Sequence, residues 1–367
     1  MPESSPTPLA VLATVDPVRR DAAIMSTLLD HPRTVVLRHD LGEDADGLHR
    51  LVMDAGGVVD DVVVPLEHSC VSCAIREDAV PTLARLAADG RWDAVLLALP
   101  VTADSLPVTR ALAARTERGD LLERLRVSSV VTSVDLESLV DDLLGDDLLD
   151  ERGLGFGDED RRSVGEAMAA QLAHADVVQV SSRPVDHPVA SDLLDHVRAG
   201  DGTRSQEGDV GGGELLFGSV HDVVRAERRT DPRRVPSARR RSRHGVWTIA
   251  LRTHRPFHPD RVLEHIERLG GGRVRSRGVF WVPTRPDSLC GWEGSGGQVS
   301  IGDLGPWGLD APRTELLVTG VGDEDARVRA AFTDALLTQD ELADGLAPWL
   351  GREDVLAPWL GERGAEY

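Results

Sequence analysis

The stretch Leu9-Ala-Val-Leu-Ala-Thr-Val15, followed by a helical pattern over residues 17–30, decides the fold of this chain. An uninterrupted apolar run of this length is typical of a strand buried on both faces of a parallel sheet. Comparable strands are predicted at 33–38, 58–65, 93–99, 127–134 and 176–180, with helical patterns at about 76–89 and 165–174. The alternation of strands and helices predicts an α/β domain, with a mostly parallel sheet covered by helices on both faces.

The pattern changes near residue 200. Residues 200–213 are rich in Gly, Ser and Asp, which is typical of a flexible linker, and an arginine-rich run follows them. Strand-like alternation returns between Trp247 and Leu317, with a helical pattern near 259–269, which predicts a small α+β domain. The predicted segments are an α/β domain at 8–200, a Gly-rich then Arg-rich linker at 201–245, an α+β domain at 246–320 and an acidic helical tail at 321–367.

Composition limits the classes of function. The 367 residues carry a formal net charge of −21, and a uniformly acidic surface repels phosphate, so we expect no DNA binding. No apolar stretch approaches the ~18 residues of a membrane span, and the first residues do not have the pattern of a secretory signal. We expect a cytoplasmic protein, in which the three cysteines (Cys70, Cys73 and Cys290) form no disulfide framework. The sequence does not define the oligomeric state.

Several short motifs resemble one protein family in their order and spacing. Cys70-Val-Ser-Cys-Ala-Ile-Arg-Glu-Asp78 is similar to a Gly-Cys-x-Cys-Cys-Thr-Leu-Arg-Glu-Asp motif, and Gly42-Glu43 to the end of an Asn-Glu-Phe-Gly-Glu loop. The further matches are Val130–Asp135, Arg255–Pro259, Arg277–Trp281, Thr284–Asp287 and Trp307. Together they resemble the CobW family of metal-handling P-loop GTPases over nearly the whole chain. The resemblance implies a P-loop NTPase-like first domain and a CobW C-terminal α+β domain.

The phosphate-binding loop of that family is altered here. A P-loop needs glycines for close backbone contact with phosphate, a lysine for the β- and γ-phosphates, and Ser or Thr for Mg²⁺. The resemblance places Arg20 at the lysine and Asp21 at the Mg²⁺ ligand, and it places three other residues at the glycines: Thr14, Pro17 and Arg19. Proline removes an N–H donor, and branched or bulky side chains resist the backbone conformations that glycine supplies. We therefore expect neither GTP nor Mg²⁺ to bind.

Two more nucleotide motifs of the family are lost. Its Glu-x-x-Gly position holds Ala98–Val101, and its guanine-reading Asn-Lys-x-Asp position holds Ser181–Pro184. The chain contains no lysine, because all 41 of its basic residues are arginine, so both lysine-bearing motifs are absent wherever the alignment is drawn. The family hydrolyses GTP, and these losses favour a chain without GTPase activity, although the sequence alone leaves enzymatic activity open.

Cys70 and Cys73 have the spacing of a two-thiolate zinc half-site. Tetrahedral Zn²⁺ takes four ligands, and Glu67 and His68 are near enough in sequence to add to the set. Ser72 stands where the family has a further cysteine. Two interpretations stay open at this point: a zinc site that includes Cys70, Cys73 and Glu67, or a pair of small buried thiols without a metal.

The arginine run is the feature that most suggests a large anionic partner. Between residues 225 and 243 nine arginines face only Glu227 and Asp231, a local charge of +7. Guanidinium groups bind phosphate in a bidentate manner, which predicts RNA contact, whereas a solvated linker that pairs with the acidic body is the alternative. The candidate RNA- and ribosome-contacting residues are Arg225, Arg228, Arg229, Arg233, Arg234, Arg239, Arg240, Arg241 and Arg243.

The resemblance is greatest to an actinobacterial CobW branch with altered nucleotide motifs, described as ribosome hibernation factor-recruiting proteins. It implies a zinc-responsive regulatory protein that recruits a hibernation factor to the small ribosomal subunit. The alternative is a zinc metallochaperone GTPase that delivers metal to a client protein, and a third interpretation is a scaffold with neither metal nor ribosome contact. Nucleotide binding and ribosome co-sedimentation distinguish the first two.

Overall fold

A computed structural model describes residues 5–41, 47–65, 71–157, 160–209, 212–352 and 354–361, without the side chain of Ser72. The chain forms two compact units. Unit 1 comprises Met1–Leu139, Leu148–His187 and Arg198–Thr230, and unit 2 comprises Val140–Asp147, Pro188–Val197 and Asp231–Tyr367. Among the described residues, none of the helices has the length and apolar character that a membrane span requires.

Unit 1 is built on an eight-stranded sheet with the order β4-β3-β2-β5-β1-β6-β7-β8. Its strands are β1 Thr7–Ala13, β2 Thr34–Leu41, β3 Leu48–Asp54, β4 Gly57–Val64, β5 Ala94–Ala98, β6 Leu125–Val134, β7 Val177–Val180 and β8 Thr203–Gln206. Strands β2, β5, β1, β6, β7 and β8 are parallel to their neighbours, and only the β2–β3–β4 edge is antiparallel. The predicted α/β fold with a mostly parallel sheet is confirmed.

The helices of both units are numbered here in chain order. They are α1 Pro17–Asp30, α2 Val71–Ala74, α3 Val80–Asp89, α4 Ser105–Ala113, α5 Leu139–Leu144, α6 Val164–His174, α7 Pro188–Val197, α8 Gly212–Phe217, α9 Val223–Thr230, α10 Pro259–Glu264, α11 Asp325–Ala335, α12 Gln339–Ala343 and α13 Ala357–Leu360. A π-helical turn at Ile75–Ala79 joins α2 to α3, and a second one at Glu267–Gly271 follows α10.

The central strand β1 shows why its sequence is apolar at every position. Leu9 and Val11 pack into a core with α3 and α4 on one face of the sheet. Ala10 and Leu12 pack against α1 and α8 on the other face. Because successive side chains of a strand point to opposite faces, a strand covered on both sides needs apolar residues throughout.

The hairpin at the sheet edge was only half predicted. The apolar run at 58–65 corresponds to β4, but β3 at Leu48–Asp54 was missed, because the adjacent polar residues His49 and Arg50 interrupt its apolar pattern. The two strands meet at a glycine turn, where Gly57 has a φ of 122° that favours glycine. Strand β4 is largely exposed, unlike the buried strands at the centre of the sheet.

Unit 2 contains a five-stranded antiparallel sheet with the order β12-β11-β10-β13-β9. The strands are β9 Val246–Thr253, β10 Val274–Phe280, β11 Ser288–Ser295, β12 Gln298–Pro306 and β13 Thr314–Val321. Phe257, Phe280 and Trp292 are buried together in its core, which confirms the α+β character expected of this part of the chain. His258 begins α10 by accepting a hydrogen bond from the Asp260 N–H through Nδ1 (3.2 Å).

Two segments differ from the predicted layout. The predicted linker at 201–245 carries β8, α8 and α9, because Leu216, Phe217 and Ala226 supply buried apolar contacts within a polar stretch. The predicted tail at 321–367 contributes to the core of unit 2, where Phe332 of α11 and Leu360 of α13 are buried. Composition alone does not reveal these contacts, since a few spaced apolar residues suffice to dock a short helix.

Candidate functional site

The loop between β1 and α1 is fixed to its neighbours by hydrogen bonds. The buried hydroxyl of Thr14 donates to the carbonyl oxygen of Ser133 (2.7 Å) and accepts from the N–H of Asp16 (3.1 Å). The carbonyl oxygen of Thr14 accepts from the N–H of Thr102 (2.9 Å). The loop is therefore held to β6 and to the segment after β5.

Thr102 itself adopts an uncommon backbone conformation. Its φ is 71°, in the left-handed region that β-branched residues rarely occupy, and its side chain is fully buried. Its hydroxyl donates to the carbonyl oxygen of Leu154 (3.2 Å), and its carbonyl oxygen accepts from Arg162 Nη1 (3.1 Å). Such a conformation persists where surrounding contacts fix it, and here the same contacts position Thr102 over the loop.

Asp16 caps the N-terminus of α1 with its own carboxylate. Its Oδ1 accepts hydrogen bonds from the N–H groups of Val18 (2.7 Å) and Arg19 (3.1 Å). Pro17, the first helical residue, has no N–H to offer. A P-loop directs the N–H groups at this end of the helix to phosphate. In this chain the N–H groups of Val18 and Arg19 donate to the Asp16 carboxylate instead.

The guanidinium of Arg20 is buried and contacts residues at the ends of two strands. Its Nη2 forms an ion pair with Asp40 Oδ1 (2.6 Å), and its Nη1 donates to the carbonyl oxygens of Leu99 (3.2 Å) and His39 (3.4 Å). Burial lowers the pKa of Arg20, while Asp40 acts to raise it. The residue at the lysine position thus fastens α1 to the carboxyl ends of β2 and β5.

The flanking positions are also engaged in ion pairs. Arg19 Nη1 lies 3.1 Å from Glu207 Oε2. Asp21, at the Mg²⁺-ligand position, accepts from Arg38 (2.8 Å), and Arg38 also contacts Asp40 (2.7 Å). A chain of alternating charges therefore runs along this end of the sheet, from Arg20 through Asp40 and Arg38 to Asp21.

The position that reads guanine in the family holds a small polar cluster. Ser182 Oγ donates to Asp135 Oδ1 (2.9 Å), and the N–H of Glu137 donates to the same oxygen (2.9 Å). Burial acts to raise the pKa of Asp135, but the Glu137 N–H and the Ser182 hydroxyl hold it below its usual value. Pro184 supplies no carboxylate here.

The thiol motif is described only in part. Cys73 lies buried on α2, and Arg76 Nη2 lies 3.9 Å from its sulfur. Cys70, Glu67 and His68 lie outside the described residues. The described parts of the chain contain no group of three or more His, Cys, Asp or Glu side chains that could hold a metal ion.

Asp78, one π-helical turn beyond Cys73, anchors this helical segment to the sheet. Its carboxylate is buried, accepts from His39 Nε2 (2.8 Å) and pairs with Arg50. Burial acts to raise the pKa of Asp78, but the hydrogen bond from His39 and the charges of His39 and Arg50 hold it below the usual value. The thiol segment is thereby connected to β2, which also carries Asp40.

Most of the arginine run lies on or near ordered structure. Arg229 is largely buried, and its Nη1 contacts Asp176 Oδ1 (2.9 Å). Arg228, Arg239, Arg240 and Arg243 are exposed. Further ion pairs join Arg225 and Arg229 to Asp201, Arg233 and Arg234 to Asp231, and Arg241 to Asp323 and Asp325. These five arginines therefore form ion pairs within the chain, as the alternative to RNA contact expects.

Two domain families match this chain. Residues 24–186 match the CobW/HypB/UreG nucleotide-binding domain, and residues 246–336 match the cobalamin synthesis protein cobW C-terminal domain. The chain is therefore similar to these two domains in the order in which they are matched. The first match begins after the altered loop positions 14–21.

Proteins whose names refer to zinc are similar to this chain. A Mycobacterium tuberculosis protein named as a zinc chaperone is 26% identical over 299 residues, which cover 77% of this chain and 70% of that protein. Zinc-regulated GTPase metalloprotein activator 1 of Dictyostelium discoideum is 22% identical over 268 residues, 68% of this chain and 55% of that protein. The crystal structure of the Zn(II)-bound YjiA GTPase from E. coli is 15% identical, covers 90% of this chain and 99% of that chain, and has a TM-score of 0.36.

The residues that contact the loop between β1 and α1 were not predicted from the sequence. The capping role of Asp16 could have been predicted from the sequence, because an Asp directly before a Pro at the first helical position is typical of a helix start. No sequence pattern predicts the contacts that Asp40, Thr102 and Glu207 make with the loop region, since each comes from a distant part of the chain.

Proposed function

We propose that this chain is a zinc-handling protein that passes zinc to a client protein without binding or hydrolysing Mg²⁺-GTP. One observation carries the nucleotide part of the proposal: the Asp16 carboxylate occupies the N–H groups of α1, where a P-loop holds phosphate. The zinc part is supported by relatives that are named as a zinc chaperone and a zinc-regulated metalloprotein activator.

The free energy of opening the loop supports the loss of nucleotide binding. Releasing an N-cap costs about 1 kcal/mol. Freeing Arg20 from Asp40 and Leu99 breaks charge-assisted hydrogen bonds, which contribute roughly 1.5–3 kcal/mol each. A total of about 4 kcal/mol weakens affinity roughly a thousandfold, since each 1.4 kcal/mol is tenfold. Asp16 and Asp21 would in addition repel the phosphates.

Cys73 is compatible with a zinc ligand. Cysteine sulfur is a common ligand of Zn²⁺, and the Cys73 sulfur lies 3.9 Å from Arg76 Nη2. We assign Cys70 and Glu67 as further ligands to the zinc cargo, as their spacing predicts. A three-ligand site of this kind leaves one tetrahedral position for a group of the client.

Two binding measurements test the proposal. Isothermal titration with Mg²⁺-GTP up to about 1 mM should show no saturable binding, and a micromolar Kd would contradict the proposal. For zinc, competition with a chromophoric chelator should show at least about tenfold weaker binding in the Cys70→Ser/Cys73→Ser variant. Cys290→Ser is the matched control, because Cys290 is buried in the core of unit 2. Equal zinc affinity of all three proteins would refute the zinc assignment.

Recruitment of a hibernation factor to the small ribosomal subunit stays a prediction, and the names of the relatives favour the metallochaperone alternative. The exposed arginines 228, 239, 240 and 243 are the remaining candidates for RNA contact. Co-sedimentation with ribosomes that falls steeply with salt and is lost in an Arg239→Gln/Arg240→Gln/Arg243→Gln variant would favour recruitment. Absence of co-sedimentation at low salt would exclude it.

A further inference from the structure

Strand β4 forms an edge of the large sheet and exposes a run of valines. It is the terminal strand in the sheet order, and no strand in the described parts of the chain pairs with its outer edge. The exposed fractions of Val58, Val59, Val62 and Val63 are 64%, 44%, 37% and 66%. β-Branched residues favour strand pairing, so this edge is a template for one more strand.

The exposed valines stand in one strand as two adjacent pairs, Val58-Val59 and Val62-Val63, with Asp60 and Asp61 between them. Exposed single apolar side chains are ordinary on protein surfaces, whereas several of them on one unpaired edge strand favour association. Natural sheets protect such edges with short strands, lysine, proline or a covering element. Strand β4 spans Gly57–Val64 and contains neither lysine nor proline. Its protection against self-pairing is limited to two aspartates.

These aspartates determine which partner fits. Asp60 and Asp61 stand at the centre of the valine run, and Asp61 has a side chain that is 58% exposed. Asp60 pairs with Arg50 Nη2 (2.9 Å) and Asp61 with His49 Nε2 (2.6 Å). A second copy added antiparallel at its own β4 would place aspartates against aspartates, which is unfavourable. A strand with basic residues at its centre would instead place opposite charges together.

We propose that β4 is a docking edge that adds an extended segment of a partner protein, with two central basic residues flanked by β-branched residues. Main-chain hydrogen bonds of strand addition supply affinity, and the valines and aspartates select the side chains. The surface does not depend on zinc or nucleotide binding, so it can be tested separately from the proposed function.

The docking edge is physically connected to the thiol motif. Arg50 of β3 pairs with Asp60 on β4 and with Asp78, which follows Cys73 by five residues.

The test uses the full-length protein and a fluorescein-labelled synthetic peptide, with two adjacent arginines between valine and threonine residues. Fluorescence anisotropy should show saturable binding, and hydrogen exchange of residues 57–64 should slow when the peptide is present. Val63→Lys should weaken binding at least about tenfold, because it adds a like charge at the exposed edge. Val185→Lys is the matched control, since Val185 is 68% exposed in unit 1 and outside the strand.

Charge reversal tests the partner's chemistry. Asp61→Lys should change the preference to a peptide with two central glutamates by about tenfold. Equal binding of the arginine peptide to Val63→Lys and Val185→Lys, or no slowing of exchange in β4, would overturn the proposal. A dimer in sedimentation velocity that Val63→Lys converts to monomer would also overturn it, because a second copy would then be the occupant.

Discussion

Replacement of Arg20 by methionine separates a structural role of this side chain from a role in phosphate binding. Methionine keeps an unbranched apolar stem and removes the guanidinium, with its ion pair to Asp40 (2.6 Å) and its hydrogen bond to the Leu99 carbonyl (3.2 Å). Removing one partner of a buried charge pair costs about 3–5 kcal/mol. Asp40 is 29% exposed and keeps Arg38, so water compensates part of the loss and we expect about 3 kcal/mol, the lower end of that range.

Urea unfolding followed by far-UV circular dichroism measures this loss. With an m-value of about 3 kcal/mol/M, the midpoint of the Arg20→Met variant should fall by about 1 M. Arg19→Met is the control, because Arg19 and Glu207 are each 20% exposed and their pair contributes about 1 kcal/mol or less. If Arg20 instead faced bound phosphate, the variant would unfold at the wild-type midpoint and lose measurable GTP affinity. That result would refute the closed loop.

Three other outcomes follow from the structure. Asp16→Ala should cost about 1 kcal/mol and lower Tm by about 2–4 °C, while Asp16→Asn, which can also cap a helix, should stay near wild type in thermal unfolding. Burial raises the pKa of Cys290 to about 12, so iodoacetamide at neutral pH should modify this thiol only after denaturation, as read by mass spectrometry. Burial lowers the pKa of His174 to about 3. Below pH 6.5 the unfolded chain therefore binds a proton that the folded chain does not bind, and the free energy of unfolding falls as the pH decreases. Between about pH 7 and 5 the free energy of unfolding of the wild type should fall by about 2 kcal/mol because of His174. In urea titrations over the same interval, the free energy of unfolding of His174→Gln should fall by about 2 kcal/mol less than that of the wild type.

The parts of the fold that could be predicted are those with local signals. Helix α1 begins and ends where its pattern predicted, because Pro17 fixes its start and the apolar spacing ends at Asp30. Strand β3 could have been found from the Gly56-Gly57 turn, which is typical of a hairpin. The burial of a strand is harder to predict, since β1 and β4 are both rich in apolar residues, yet β1 is buried and β4, with Asp60 and Asp61 at its centre, is largely exposed.

The sequence predicts which P-loop residues are missing from the candidate site, but it does not predict which residues take their place. The missing glycines and lysine can be seen in the sequence, and they predict a loop that does not hold phosphate. What occupies the loop depends on Asp40, Thr102 and Glu207, whose approach to residues 14–21 follows from the order of the strands. The same limit applies to the arginine run, where Arg229 finds Asp176 more than fifty residues away in sequence. Composition gives the charge of such a segment but not its partners.

The altered loop positions act as one linked structure. Arg20 and Arg38 share Asp40, and Arg38 also holds Asp21, so changing one of these residues alters the pairing of the others. A lysine at position 20 would still meet Asp40, and the α1 N–H groups would still be occupied by Asp16. Recovery of a phosphate site therefore requires several simultaneous substitutions, because effects within one ion-pair network are not additive. This coupling supports the proposal that the loop between β1 and α1 stabilises the sheet and does not hold phosphate.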